Sequence, residues 1–229
     1  MEIIAHIHTD FPTKFGVPRQ SGLVVGLPAR IVFTPEFRNA EALRGLEGFS
    51  HIWLLWDFSE AHDGKPWRTT VRPPRLGGNR RMGVWATRSP FRPNHIGLSC
   101  VRILSIDLHT SQGPVICVDG ADLMDGTPIL DIKPYLPFTD CHPDARGGFA
   151  QEQNECIEPL EVCIPAHLEH LIPEEKRESV RAILSSDPRP HYQADSSRTY
   201  VMPFSALEIS FQVSEGILTV TDISAGHTR

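Results

Sequence analysis

The sequence predicts a mainly β protein, with an N-terminal β-barrel domain followed by a small α+β C-terminal domain. Six or seven short strand patterns and one weak helix pattern occupy roughly the first 140 residues, with turn residues between them. A longer helical pattern appears only later in the chain, and further strand patterns follow it. The 229 residues are 40% hydrophobic and 22% charged, an ordinary globular composition that can bury a core.

The N-terminal elements are predicted from apolar alternation and from turn residues. Thr34, Pro35 and Glu36 are typical of a helix start, because Thr can cap the first turn and Pro fits its first position. We expect that helix to end near Leu46. Residues 59–82 hold too much Gly and Pro for the interior of an element, which favours a long loop. The strand patterns lie at 2–8, 22–33, 51–58, 82–87, 100–110, 114–122 and 128–136.

The C-terminal third has a different pattern. Residues 140–155 are polar and contain Gly, so we expect a linker at 141–157 between a barrel domain at 1–140 and a second domain at 158–229. Helical spacing over 165–186 predicts one helix, and two or three strands should follow to about residue 224. The apolar face of this predicted helix is formed by Leu168, Leu171, Val180, Ile183 and Leu184.

Composition limits the class of protein. The longest apolar run, 52–56, is far too short to span a bilayer, and the N-terminus lacks the pattern of a secretory signal. Five cysteines without a CxxC pair fit a reducing compartment, so we expect a cytoplasmic protein. The 11 histidines are scattered, and the close pairs lack further ligands at metal spacing, so no metal is expected.

The charge distribution is uneven. The chain has 22 Lys and Arg against 28 Asp and Glu, yet residues 64–106 contain no acid at all. Nine of the 22 basic residues lie in that acid-free stretch, and eight of those nine are arginines, whose planar guanidinium suits phosphate groups and base stacking. The acidic remainder argues against a non-specific nucleic-acid coat, whereas the local excess favours a focused anion site.

Two interpretations of the acid-free stretch remain open. The arginines can pair with acids elsewhere in the fold or face water, although the interspersed Pro and Gly favour a defined backbone path beside a ligand. Trp67, Trp85 and Phe91 alternate with the arginines. Because Trp85 lies in a predicted strand, we expect it in the core rather than in a base-stacking position. Templates for dinucleotides, for nucleoside triphosphates and for a serine nucleophile are missing from the sequence.

Five ordered motifs then give a family resemblance over most of the chain. They are FGVPRQSGLV (15–24), GFSHIWLLWDF (48–58), TVRPPRLGGNRRMGVWATRSPFRPNHIGLS (70–99), DLMDGTPILDIKPYLPFTD (122–140) and DPRPHY (187–192). With them the chain resembles the TsaA/TrmO family of β-barrel methyltransferases. The resemblance implies S-adenosylmethionine as cofactor, tRNA as partner and a homodimer. It also implies methylation of N6 of N6-threonylcarbamoyladenosine beside the anticodon, the activity of a tRNA (adenine-N6)-methyltransferase.

The resemblance also assigns residues to roles. The implied cofactor contacts are Pro18, Arg19, Gln20, Phe58, Ser59, Arg88, Leu98, Asp125, Gly126, Thr127 and Pro128. Asn94 and Asp125 are the candidates to accept the acceptor nitrogen's hydrogen during methyl transfer, with a turn role for Asn94 left open. The expected phosphate contacts are Arg72, Arg75, Arg80, Arg81 and Arg92. The alternatives are a nucleic-acid or nucleotide binding module without catalysis, and a methyltransferase that acts on a small molecule.

Overall fold

The protein is built from a closed six-stranded barrel, a four-stranded sheet and a two-stranded ribbon. The structure, a computed structural model, describes residues 1–59, 67–73, 80–154, 159–189 and 198–226, without the side chains of 152–154. The strands are β1 (Ala5–His8), β2 (Pro28–Phe33), β3 (His51–Asp57), β4 (Thr70–Val71), β5 (Met82–Gly83), β6 (Ile96–Thr110), β7 (Gly113–Asp119), β8 (Thr127–Pro134), β9 (Glu161–Cys163), β10 (Tyr200–Phe204), β11 (Leu207–Ser214) and β12 (Ile217–Ala225). The α-helices are α1 (Pro137–Asp140), α2 (Phe149–Asn154), α3 (Ala166–Glu169) and α4 (Glu174–Ser185).

The barrel is antiparallel throughout and closes in the order β1-β2-β7-β6-β3-β8. In the continuous apolar run of β3, only alternate side chains enter the barrel core: Ile52, Leu54 and Trp56 are at most 9% exposed. Trp53, on the other face, donates through Nε1 to Asp140 Oδ2 at 2.8 Å. The fold class expected from the sequence, a mainly β chain with a barrel and a small α+β C-terminal part, is confirmed.

The second sheet has the order β10-β11-β12-β9, with β9 parallel to β12, and α4 packs its buried face into the same core. This core also takes in Phe11, Val24 and Leu27 from the segment 9–27, which connects β1 to β2. The connecting segment is therefore held by the C-terminal sheet as well as by the barrel. The domain boundaries at 1–140, 141–157 and 158–229 stay a prediction.

Several sequence-based expectations about single elements were wrong. The segment expected to form one helix after Thr34 consists of three 3₁₀ turns, Pro35–Phe37, Ala40–Leu43 and Leu46–Gly48. Asn39 lies between the first and second turns and caps the second through its side chain, and Gly45 precedes the third with a φ of 87°. Such residues interrupt a regular helix.

The C-terminal helix pattern is also divided. Pro173 stands as the N-cap of α4, so the expected single helix over 165–186 appears as α3 and α4. Leu171, which was assigned to the apolar face, lies between the two helices and is 51% exposed.

Trp85 was expected in the core, and this expectation was wrong. The segment 82–87 is a strand only at Met82–Gly83, and a 3₁₀ turn follows at Val84–Ala86. The turn buries Val84 completely and leaves Trp85 66% exposed, because consecutive residues of a turn do not keep the alternation of a strand.

Across the described residues, no helix combines the length and apolarity that crossing a membrane requires. Within the same ranges, His, Cys, Asp and Glu side chains do not gather in any group of three or more that could hold a metal ion.

Candidate active site

The VPRQ motif lies in the segment 9–27, between the barrel and the C-terminal sheet. Pro18 is buried, and Arg19 donates from Nη2 to the backbone carbonyl of Asp187 at 2.9 Å. The Asp187 carboxylate is held in turn by two hydrogen bonds from the Arg189 guanidinium, at 2.8 and 2.9 Å. Burial opposes ionisation of Asp187, but Arg189 outweighs it and lowers the pKa of that carboxyl. Arg19 is thus directed toward the C-terminal part of the chain.

A clamp of polar contacts fixes the same segment from the C-terminal side. Lys176 of α4 forms an ion pair with Asp10 at 2.5 Å, and both side chains are largely buried. Lys176 also donates to Ser205 Oγ at 2.9 Å, and the Ser205 N–H donates to the Asp10 carbonyl at 2.7 Å. Ser179 donates to the carbonyl of Gly26. The path of VPRQ therefore depends on contacts made by the C-terminal sheet and α4.

Gln20 and Arg88 meet although 68 positions separate them in the sequence. The Arg88 guanidinium donates to Gln20 Oε1, and its positive charge also acts on the carboxylate of Asp122. Two residues that the resemblance assigned to the cofactor are thus adjacent, and they lie beside an acid that was not assigned.

Asp122 belongs to a polar chain that reaches into the barrel. Ser99 Oγ donates to Asp122 Oδ1 at 2.5 Å and accepts from Trp56 Nε1 at 2.9 Å. Burial raises the pKa of the Asp122 carboxyl, against hydrogen bonds from Ser99 and from the backbone that lower it. This polar chain of side chains runs from the core indole of Trp56 on β3, through Ser99 on β6, to the carboxylate of Asp122 beside Arg88.

Gly97 makes room for that indole. A Cβ atom at position 97 would lie 2.2 Å from the Trp56 ring, closer than any real contact. The Phe58 ring packs on the same indole with centroids 4.2 Å apart, and the Phe58 N–H donates to the His95 carbonyl at 2.9 Å. Leu98, the neighbour of Gly97, is 47% exposed on the opposite face of β6, so only its backbone is close to the polar chain. Ser59 follows in an exposed position.

The DGTP motif is a turn that leads into β8, beside the end of β1. Asp125 Oδ1 accepts from the Thr9 N–H at 3.1 Å and lies 3.2 Å from His8 Nδ1. Gly126, with a φ of 75°, donates its N–H to the Ile7 carbonyl at 2.8 Å. Thr127 and Pro128 are buried at the start of β8. The turn places the Asp125 side chain at the surface next to segment 9–27.

The expected RNA contacts fall into different environments. Arg72, Arg80 and Arg81 are exposed around the ribbon β4–β5. The Arg92 guanidinium is partly occupied by a hydrogen bond within the protein, because its Nη1 donates to the Thr87 carbonyl at 3.1 Å. Arg75 lies outside the described residues.

Arg102, also in the acid-free stretch, fits the alternative that these arginines pair with acids elsewhere. Its Nη2 donates to Asp119 Oδ2 at 3.0 Å, and Asp119 is only 5% exposed. Asn94, the candidate catalytic amide, is exposed in the bend just before β6.

Comparisons with known proteins identify the family of the chain. A family model for the tRNA-methyltransferase O N-terminal domain matches residues 6–141, and a model for the TrmO C-terminal domain matches residues 157–226. The chain belongs to the TrmO family. The match to the first model contains the barrel, except for Ala5 of β1, and the whole acid-free stretch.

Individual relatives are similar to this chain over nearly their whole length. The tRNA (adenine(37)-N6)-methyltransferase of Escherichia coli is 40% identical over 222 residues, which cover 93% of each chain. A Pseudomonas aeruginosa protein described as a putative S-adenosylmethionine-dependent methyltransferase is 39% identical, covering 97% of this chain and 96% of its own. The crystal structure of TrmO from the same organism matches with a TM-score of 0.76 at 31% identity, over 97% of this chain and 95% of that one.

Sequence reasoning missed Asp122, Ser99 and Trp56 as a connected unit. Asp122 opens the DLMDGTP motif and Ser99 closes the long arginine motif, so both stood inside segments that carried the TrmO resemblance. What the sequence could not supply is the pairing of β3 with β6, which places Leu54 opposite Ser99 and Trp56 opposite Gly97.

Proposed function

We propose that this protein is an S-adenosylmethionine-dependent methyltransferase that modifies tRNA at N6 of N6-threonylcarbamoyladenosine, next to the anticodon. The observation that supports this most directly is the match to both TrmO domains together with 40% identity to the E. coli tRNA (adenine(37)-N6)-methyltransferase. The exposed arginines of an otherwise acidic chain supply the surface that a polyanionic substrate requires.

The residues around Arg88 suit a zwitterionic cofactor. Arg88 is an exposed cation beside the carboxylate of Asp122, so the donor set offers one partner for a carboxylate and one for an amine. Gln20 is hydrogen-bonded to Arg88 and can contribute amide contacts. On this basis we assign the methionine end of the cofactor to Gln20, Arg88 and Asp122.

The nucleoside end of the cofactor is assigned to the remaining residues of the family motifs. The N–H groups of Asp125, Gly126 and Thr127 already donate within the protein, so the DGTP turn offers its carbonyl groups to an adenine edge. The backbone at Leu98 and the apolar ring of Phe58 complete this assignment. Pro18, Arg19 and Ser59 are included as sequence neighbours of Gln20 and Phe58. When bound, S-adenosylmethionine supplies an electrophilic methyl group on a sulfonium.

In methyl transfer, the residues of this chain position the two substrates and accept a hydrogen bond from the acceptor N–H. Holding acceptor and donor in line can account for roughly 7–11 kcal/mol of barrier lowering. The acceptor N6 is a weak nucleophile, so its N–H needs a hydrogen-bond acceptor while the methyl group moves from sulfur to nitrogen, and its proton then passes to water. The amide oxygen of Asn94 is exposed and can serve, whereas Asp125 already accepts from the Thr9 N–H and faces His8. We therefore place Asn94 first and Asp125 second.

Asn94→Ala tests whether Asn94, rather than Asp125, accepts the N–H of the target nitrogen. We expect methyl incorporation into tRNA to fall while cofactor affinity, measured in parallel, stays near the wild-type value. Unchanged turnover would remove Asn94 from the catalytic set, and a loss of cofactor affinity alone would make it a structural turn residue.

Two experiments test the function itself. Added S-adenosylmethionine should raise the thermal unfolding midpoint, because a ligand that binds only the folded state stabilises it. Nucleoside analysis of tRNA from cells with and without the protein should show the methylated nucleoside only in the first. A thermal shift without any change in tRNA nucleosides would point to a small-molecule acceptor. The absence of both would indicate a binding module.

We also propose that the protein acts in the cytoplasm as a homodimer. The resemblance supports the dimer, and cysteines that remain free support a reducing compartment: Cys100, Cys117, Cys141 and Cys163. Sedimentation of the purified protein tests the dimer directly.

A further inference from the structure

Three aromatic side chains of the acid-free stretch lie at the surface. Trp85 is 66% exposed, Trp67 45% and Phe91 37%. Indole and phenyl rings are costly to leave in water, so a group of them at the surface marks a contact site more often than chance. We refer to these three residues as the aromatic platform.

The rings of the platform are arranged with cations. Trp67 and Trp85 stack with ring centroids 5.8 Å apart and an interplanar angle of 29°. The Arg92 guanidinium lies 5.7 Å from the Trp85 ring centroid, and that of Arg68 lies 4.8 Å from the Phe91 centroid. Guanidinium groups on ring faces add stacking surface as well as charge.

Backbone hydrogen bonds hold the platform in place. The Arg68 N–H donates to the Phe91 carbonyl at 3.1 Å, and the Val84 N–H donates to the Thr69 carbonyl at 3.0 Å. Val84 is fully buried and anchors the 3₁₀ turn that directs Trp85 outward. The rings therefore stand on a fixed backbone, which lowers the entropic cost of binding.

The charge around the platform selects the partner. The antiparallel ribbon pairs Thr70 with Gly83 and Val71 with Met82. Arg72 and Arg81 therefore lie beyond one end of the ribbon, and Trp67 and Trp85 lie beyond the other. Acidic residues do not occur between positions 64 and 106. Exposed rings beside arginines suit a polyanion with accessible flat bases, since bases stack on aromatic rings and phosphates pair with guanidinium groups.

We propose that Trp67, Trp85 and Phe91 form a stacking site for unpaired bases of the RNA loop that contains the target nucleotide. Arg68 and Arg92 hold the adjoining phosphates. This inference rests on the proposed function and adds to it the requirement for a single-stranded loop, because bases inside a duplex cannot reach the rings.

The test uses the full-length protein and two RNAs: an anticodon stem-loop hairpin, and a duplex of the same stem without the loop. Trp85→Ala should weaken hairpin binding about 5- to 150-fold and leave duplex binding nearly unchanged. The factor should be the same at every salt concentration, because stacking releases no counterions. Trp85→Phe should restore most of the affinity. Phe138→Ala is the control, since Phe138 is 86% exposed but lies outside the acid-free stretch.

Unchanged hairpin affinity in both Trp85→Ala and Trp67→Ala would overturn the proposal, as would an equal loss for hairpin and duplex. If Trp85→Ala instead turns a dimer into a monomer in sedimentation, with RNA affinity per subunit intact, the platform is an interface between copies and the proposal is wrong. The proposed function fails separately. A wild-type protein that transfers no methyl group to tRNA, yet shows Trp85-dependent hairpin binding, would keep the stacking site and lose the enzymatic assignment.

Discussion

Ser99→Ala is predicted to destabilise the protein and to disturb the candidate site, because one buried hydroxyl connects two groups. Ser99 is 1% exposed, donates to Asp122 Oδ1 at 2.5 Å and accepts from Trp56 Nε1 at 2.9 Å. Alanine leaves a buried indole N–H without its acceptor and removes a charge-assisted hydrogen bond. Together these losses should lower the free energy of unfolding by about 2–4 kcal/mol. For a chain of this size that corresponds to a fall of roughly 5–15 °C in the unfolding midpoint.

The effect of Ser99→Ala should also depend on pH. Burial raises the pKa of the Asp122 carboxyl in the folded state, so the folded protein binds more protons than the unfolded chain just above the ordinary Asp pKa. This contribution makes stability fall as pH rises through that window. Because the Ser99 hydroxyl lowers the pKa, its loss raises the folded-state pKa further. The difference in stability between variant and wild type should therefore be larger at about pH 8 than at about pH 4.

Denaturant unfolding at the two pH values measures this difference, with Ser105→Ala as control. Ser105 lies on the same strand, β6, but is exposed, so its substitution should change stability by no more than about 0.5 kcal/mol. A Ser99→Ala penalty that is equally large at both pH values would refute the charge-assisted bond to Asp122. A penalty no larger than that of Ser105→Ala would refute the whole polar chain.

Three further predictions concern other parts of the site. Gly97→Ala should cost about 1–3 kcal/mol or more in unfolding experiments and reduce cofactor binding, because the new methyl group collides with the buried indole; a variant of wild-type stability would show that the indole can move. Lys176→Met should weaken S-adenosylmethionine binding, measured by calorimetry, because it breaks the clamp on the VPRQ segment; unaltered affinity would show that the barrel alone positions the segment. The double variant Arg80→Ala, Arg81→Ala should lower the slope of log affinity for tRNA against log salt concentration, by the equivalent of up to about two phosphate contacts. Arg102→Ala, whose side chain is already paired with an acid, should leave that slope unchanged.

The barrel was predictable because its strand patterns are local. Alternation in the β1 segment and short apolar runs between turns, such as that of β3, indicate strands whatever the rest of the chain does, and six such strands are enough to close a barrel. The errors arose where a few residues allow more than one local structure. Residues 82–87 have the composition of a strand, but Val84 is buried by a turn, which sends Trp85 to the surface.

The candidate site was predictable only in its motifs. Arg88 and Gln20 could be named from the family motifs, whereas their mutual contact required the fold to bring together residues 68 positions apart. The role of the C-terminal part was not predictable from any motif, because Lys176 and Asp10 meet across 166 positions.

By itself, the sequence determined the mainly β class, the excess of arginine in one acid-free stretch and the motifs of the TrmO family, since each depends on residue type and short-range order. Only the tertiary structure decided which side chains share an environment. It joined Trp56, Ser99 and Asp122 into one polar chain, and it turned Trp85 outward to stack on Trp67. The physical reason is that strand register and turn geometry set side-chain direction, and a shift of one residue reverses the face on which a side chain lies.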